Sequence, residues 1–226
     1  MVTSHLPDNE SVVKAISIEA LELRQGDSTL FSHLTLALDP GEKVALTAPS
    51  GYGKSTLMRC LLGFVPIYQG RIRIFGTELT PRSAWQLRSR MAYVDQEPDL
   101  GDDSVDAFLA RPFSYKKNQH LHFDSARVTA LMSQLHLPHS LRNKKTNALS
   151  GGEKQRVALI GALLLKRDIL LVDEPTSALD QETAIAVVDL LNTMRNLTLV
   201  AIAHDQSLTT AVDRTIDLLK FSRRPG

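Results

Sequence analysis

Cysteine is nearly missing from this chain. Cys60 is the only one in 226 residues, which excludes an intrachain disulfide and any cysteine cluster for zinc. Aromatic residues are scarce, at 5%, with one tryptophan, Trp85. No long apolar run exists. The longest, residues 157–165, is stopped by Lys166-Arg167-Asp168, and a bilayer-spanning helix needs about 20 apolar residues. The opening stretch, 1–10, is polar and lacks the apolar core of a secretion signal. An excess of one charge is also missing. Lys and Arg number 26, Asp and Glu 25, leaving a net charge of +1. Such a balance gives no general attraction for nucleic acid or anionic lipid, so no nucleic-acid partner is expected and any polyanion site must be local. Together these absences predict a soluble, cytoplasmic chain. If it works at a membrane, another chain supplies the spans.

What is present fits a globular protein with a sizeable core: 43% apolar and 23% charged residues. The length predicts one large domain, or one domain with a small companion. Residues 1–15 read as a loose leader. Strands are predicted at 16–23 and 34–38, with Gly26-Asp27 as a turn, and at 43–47, 70–75 and 91–94. Helices are predicted at 56–62 and 84–90. The polar stretch 97–149 reads as a mostly helical insertion. A helix at 152–165, a strand at 169–172, a helix at 182–194 and strands at 197–203 and 214–221 follow. Apolar strands alternating with helices imply a mainly parallel sheet covered on both faces, an α/β fold.

Three segments carry chemistry. Ala48-Pro49-Ser50-Gly51-Tyr52-Gly53-Lys54-Ser55-Thr56 follows a strand and opens a helix. It matches the phosphate-loop pattern everywhere except the first position, where Ala48 replaces glycine. Gly51 and Gly53 let backbone N–H groups turn toward phosphate oxygens. The helix N-terminus adds positive potential. Lys54 would reach the β- and γ-phosphates, and the Ser55 hydroxyl would hold Mg²⁺. Ala48 is tolerable at negative φ and strained at positive φ. Second, the apolar strand 169–172 runs into Asp173-Glu174, where a parallel sheet presents its ligands. Asp173 is placed to serve Mg²⁺, directly or through water, and Glu174 to polarise an attacking water. Alternatively the pair caps the helix after Pro175-Thr176. Third, Leu149-Ser150-Gly151-Gly152-Glu153-Lys154-Gln155-Arg156 is a second glycine-rich helix start, hence a second anion cradle.

This third segment resembles the LSGGE-x-QR signature of the ATP-binding cassette (ABC) ATPases. The resemblance extends over residues 16–221. Gln96, in Tyr93-Val94-Asp95-Gln96, matches the family's Q-loop. Ser177-Ala178-Leu179-Asp180 matches its D-loop, and His204 its switch histidine. The resemblance implies a P-loop NTPase fold: a mainly parallel sheet, an antiparallel β subdomain and a helical subdomain. It implies one cassette over 1–226, with the core at 16–96 and 157–221 and the helical subdomain at 97–156. ATP would contact Ser50, Gly51, Tyr52, Gly53, Lys54, Ser55, Thr56 and Gln96, together with Ser150, Gly151 and Gly152 of a second copy. Mg²⁺ would be held by Ser55, Gln96 and Asp173. Glu174, His204 and Lys54 would carry hydrolysis.

The implied working unit is a homodimer docked on an integral membrane permease at the cytoplasmic face of the cell's inner membrane. Residues 97–118 would form the docking groove. The compact chain looks most like small bacterial subunits linked to iron export, and it ends soon after His204, without the C-terminal regulatory domain of some sugar importers. An importer subunit for an amino acid, ion or lipid is the alternative. A soluble ABC ATPase acting on DNA or ribosomes is a further one. A nucleotide sensor without turnover is opposed by Glu174 and His204. One departure concerns adenine: residues 23–26 hold no aromatic where the family often stacks one, leaving Arg24 as a stacking plane or adenine weakly held. Cys60 reads as a small buried hydrophobe, Trp85 and Tyr93 as core or groove-lining, His120, His122, His136 and His139 as surface or helix-end residues, and 142–145 as a solvated basic face.

Overall fold

The structure, a computed structural model, describes residues 13–203 and 206–221. Its strands are β1 (Ile16–Gln25), β2 (Ser28–Leu38), β3 (Lys43–Thr47), β4 (Gln69–Ile74), β5 (Thr77–Glu78), β6 (Met91–Val94), β7 (Ile169–Asp173), β8 (Thr198–Ile202) and β9 (Arg214–Asp217). Its α-helices are α1 (Lys54–Leu61), α2 (Ala84–Arg88), α3 (Val105–Ala110), α4 (Ser125–Gln134), α5 (Gly151–Leu164), α6 (Gln181–Thr193) and α7 (Gln206–Thr209). Two sheets form. One has the order β2-β1-β4-β5, the other β6-β7-β8-β3-β9. All pairings in the first are antiparallel and all in the second are parallel.

Strand alternation divides the interior into two cores. On β7, Ile169 and Leu171 face one core while Leu170 and Val172 face the other. On β8, Val200 and Ile202 separate in the same way from Leu199 and Ala201. The first core joins the antiparallel sheet to α1, through Ile16, Leu21, Phe31, Leu57 and Met58. The second joins α3, α4 and α5, through Leu109, Leu131 and Ile160. Both faces of the parallel sheet are therefore covered, which explains why its strands are nearly continuous apolar runs.

The structure departs from the sequence expectations at identifiable points. β2 begins at Ser28, not at residue 34, because Gly26-Asp27 makes a two-residue hairpin pairing Gln25 with Ser28. The register shifts along β1 broke the alternation that would have shown this. The last strand stops at Asp217, and Leu218–Phe221 turns into 3₁₀-helix. Of the two roles expected for Trp85, core or groove-lining, the first is excluded: it is 71% exposed. Residues 142–145 are not simply a solvated face. Arg142 bridges α3 and α4, donating to Asp106 at 2.7 and 2.9 Å, to Ser125 at 2.8 Å and to Thr129 at 3.2 Å. Cys60 is fully buried, and burial pushes its thiol up to about 11. The histidines at 120, 122, 136 and 139 are all exposed. The loose leader falls largely on residues outside those described.

Candidate functional site

The C-terminal ends of β3, β7 and β8 converge, as ligand sites in open α/β sheets require. β3 leads directly into the loop 48–53, and α1 starts at Lys54. Gly51 and Gly53 have φ of +82° and +83°, conformations costly for any residue with a Cβ. At Gly53 a Cβ would also press to 2.8 Å from the Leu30 side chain, so the tip of β2 supports the loop from beneath. Ala48 is absent from the positive-φ residues, so replacing glycine there brings no backbone strain. Ser50 and Gly51 are exposed, Tyr52 rests against the apolar core, and Thr56 is half-buried.

Lys54 is 6% exposed. Its ammonium folds back to donate to the carbonyls of Ala48, at 2.8 Å, and Pro49, at 3.1 Å. Burial lowers its pKa, opposed by the charges of Glu174 and Asp173. The site thus holds a desolvated cation facing two carboxylates. Asp173 is 2% exposed. Burial holds its carboxyl above the ordinary value of 3.8, against a lowering hydrogen bond from Ser55. Glu174 adopts φ +48°, a strained conformation for a side chain of this kind. Its backbone N–H donates to the Ile202 carbonyl at 3.1 Å. Its carboxylate accepts from Gln96 Nε2 at 2.9 Å. The chain past β8 runs toward His204, which lies outside the described residues; Ala203 just before it donates to the Leu46 carbonyl at 3.2 Å.

Lys54, Ser55, Gln96, Asp173 and Glu174 are therefore brought together. Ser150, Gly151 and Gly152 lie at the N-terminus of α5. Ser150 caps α5, its hydroxyl accepting from the Glu153 N–H at 3.2 Å while Glu153 accepts the Ser150 N–H at 2.8 Å. Gly151 has open space where a Cβ would stand. Gly152 packs so closely on the Ala178 carbonyl that a Cβ would reach 2.9 Å. Arg156 ties this helix start down, donating to the Gly152 carbonyl at 3.1 Å and the Leu135 carbonyl at 2.9 Å. Asp180 caps α6 through Thr183, whose N–H and hydroxyl hold its carboxyl below the ordinary range.

Two groups near the site were not visible in the sequence. Gln155, 2% exposed, donates to the Glu174 carbonyl at 2.6 Å. Ser177 also donates to that carbonyl, at 3.1 Å. The motif places both residues close in sequence to the site, but only the fold shows what they touch. Arg24 does not stand free for adenine: its guanidinium lies 3.5 Å from the centroid of the Tyr68 ring and bonds to Glu22.

The buried Asp173 has a measurable consequence. Its raised folded pKa means that its contribution to stability is fully present below the unfolded value and is lost as pH rises through the folded one. That net shift already includes the attraction of Lys54. Asp173→Asn should therefore melt above the wild type at neutral pH, with a gap that opens as pH rises above the ordinary carboxyl value of 3.8. Thermal melts from that value to neutral pH in the absence of nucleotide check it, and a gap that narrows would contradict the assignment.

A glycine-rich loop between strand and helix, its buried lysine and the acidic end of the adjacent strand define a P-loop ATPase. The ABC transporter family profile matches residues 31–177; the chain belongs to this family, and it is an ABC-type ATP hydrolase. It is 33% identical over 213 residues to the energy-coupling factor transporter ATP-binding protein EcfA1 of Leuconostoc mesenteroides, covering 91% of this chain and 77% of that one. A Brucella abortus protein named, provisionally, as a peptide import ATP-binding protein is 34% identical over 196 residues, covering 82% of this chain and 59% of that protein. Among solved structures, a bacterial Atm1-family ABC exporter with ATP bound superposes with a TM-score of 0.80 at 26% identity, over 95% of this chain and 39% of that one.

Proposed function

We propose that the chain is the ATP-hydrolysing subunit of a membrane importer, working as a homodimer on the cytoplasmic face of the cell membrane. The convergence of Lys54, Ser55, Asp173, Glu174 and Gln96 at one end of the parallel sheet carries the hydrolytic part. Lys54 and the N–H groups of residues 50–56 bind the β- and γ-phosphates. An arriving phosphate draws the Lys54 ammonium from the Ala48 and Pro49 carbonyls and relieves its desolvation. Glu174 orients and deprotonates the attacking water, and Gln96 holds its carboxylate. His204 is assigned to the γ-phosphate on its motif alone.

The donors fit Mg²⁺: a buried, destabilised carboxylate at Asp173 bonded to the Ser55 hydroxyl, with Gln96 nearby. Among the described residues no cluster of three or more His, Cys, Asp or Glu could form a cage for a metal. A magnesium ion shared with substrate phosphates needs none. Bound there, it would neutralise charge on the phosphates.

Ser150 and Gly151, both exposed, and the half-buried Gly152 beside them suit the ATP held by a second copy. Two helix N-termini then enclose the γ-phosphate that one leaves partly solvated. Hydrolysis removes the bridge and the copies part.

The importer reading rests on the names of the relatives, energy-coupling factor transport and peptide import. These names do not mention iron, so the iron-export reading has no support from them. The Atm1-family structure is an exporter, but this chain spans a minor part of it. No helix among the described residues is long and apolar enough to cross a membrane. A separate permease fits a groove of about 440 Å³ between β6 and the segment 98–112, lined by Tyr93, Pro98, Leu100, Phe108 and Pro112.

Phe108→Asp tests that docking face. The expected result is loss of the chain from the membrane fraction of cells that carry its permease, with the ATPase rate of the purified chain retained. Undiminished membrane association would move the docking face elsewhere.

A further inference from the structure

We infer that Gln155, on the helix that opens with Ser150 and Gly152, is a positioning residue for hydrolysis: it holds the strained peptide of Glu174 and so aims the carboxylate. The inference rests on the reading of Glu174 as the base. It assigns a task to a buried residue that the proposed function leaves without one.

Three observations support it. The Glu174 backbone sits at φ +48°, a conformation that persists only when surrounding groups over-determine it. Those groups can be named. The Glu174 N–H is bound to the Ile202 carbonyl. Its carbonyl accepts from Gln155 Nε2 at 2.6 Å, from the Ser177 hydroxyl at 3.1 Å and from the Ser177 N–H at 3.3 Å. Ser177 is three residues away on the same turn and moves with it. Gln155 comes from another element and fixes the turn to the body of the protein.

The second observation is the state of the amide itself. Gln155 is buried, and its Oε1 has no hydrogen-bond partner among the described residues. Burying an unpaired acceptor is unfavourable. Methionine would occupy a similar volume without that cost, so filling space does not account for glutamine here. The bond from Nε2 does. Its direction is fixed, because a carbonyl can only accept.

The third is connectivity. Glu174 is held at both ends: its carboxylate by Gln96 and its peptide by Gln155. Releasing the peptide end leaves the base in place but misaimed, and misplacement of a catalytic group by about 1 Å costs about 10²-fold in rate.

The test is steady-state ATP hydrolysis by the full chain with Gln155→Met and Gln155→Glu, each also in a Glu174→Gln background. Glutamate keeps the shape and cannot donate once ionised, so its chain is read on the alkaline side of its pH profile. The expected result is a fall in kcat of roughly 10–100-fold with KM for ATP within about twofold. No further fall is expected in the Glu174→Gln chain, whose carboxylate is already gone. A kcat within about twofold of wild type, a matching rise in KM, or an equal fall in the Glu174→Gln background would each overturn the inference, the last by revealing a merely structural role. Should the methionine chain not fold, the same comparisons on the glutamate chain decide between these outcomes. Failure of the underlying reading looks different: Glu174→Gln alone would then turn over at the wild-type rate.

Discussion

Glu174→Gln is expected to lower ATP turnover about 10²–10⁴-fold, the usual worth of a positioned general base, while ATP binding is retained. Glutamine keeps the length of the side chain and can still accept from Gln96, so the local hydrogen bonding survives. Lys54, Ser55 and the loop 48–53 are untouched, so the phosphates keep their donors. What is lost is the group proposed to take the proton from water. Single-turnover hydrolysis and equilibrium binding, measured on the same preparation, separate the two effects. Turnover near the wild-type rate would remove Glu174 from the role of base. Loss of binding and turnover together would instead mark it as part of the nucleotide pocket.

The second large effect concerns the division of one site between two copies. A Lys54→Ala chain should bind ATP poorly and hydrolyse none. A Gly151→Asp chain should also be inactive, for a different reason. Gly151 begins α5 and has open space for a side chain. An acidic residue there suits the helix N-terminus but repels a phosphate. This makes it a cleaner probe than Ser150, whose hydroxyl caps α5 and whose loss would cost about 0.5–2 kcal/mol of helix stability. Mixed together, the two inactive chains form heterodimers in which an intact phosphate loop faces an intact signature. Up to roughly a quarter of the wild-type rate should return when copies exchange freely. No recovery at any ratio would mean that Ser150, Gly151 and Gly152 do not act on a partner's nucleotide.

Much of this architecture was legible from local pattern. The strands 43–47 and 91–94 were expected with the bounds observed, because each is a short apolar run ended by a turn signal. Pairing of β1 with β2 through a two-residue turn was harder to read. The bulges that shift its register also scramble the alternation on which a strand is recognised. Exposure of Trp85 was illegible for another reason. A helix of five residues is too short to declare which side faces the core. Arg142 looked like one of several solvated cations, since its partners Asp106, Ser125 and Thr129 are far from it in sequence. At the site, Lys54, Asp173 and Glu174 follow from motifs and from the strand ends that carry them. The tie from Gln155 to Glu174 does not, since it spans two elements and ends on a backbone atom that any residue possesses.

The most direct measurement is the solution mass of the Glu174→Gln chain, followed by sedimentation with Mg²⁺ and ATP, then with Mg²⁺ and ADP. Dimer with the triphosphate and monomer with the diphosphate is the expected pair of results. A chain that binds ATP yet stays monomeric at all concentrations, or a dimer indifferent to which nucleotide is present, would contradict closure of two copies around a shared γ-phosphate.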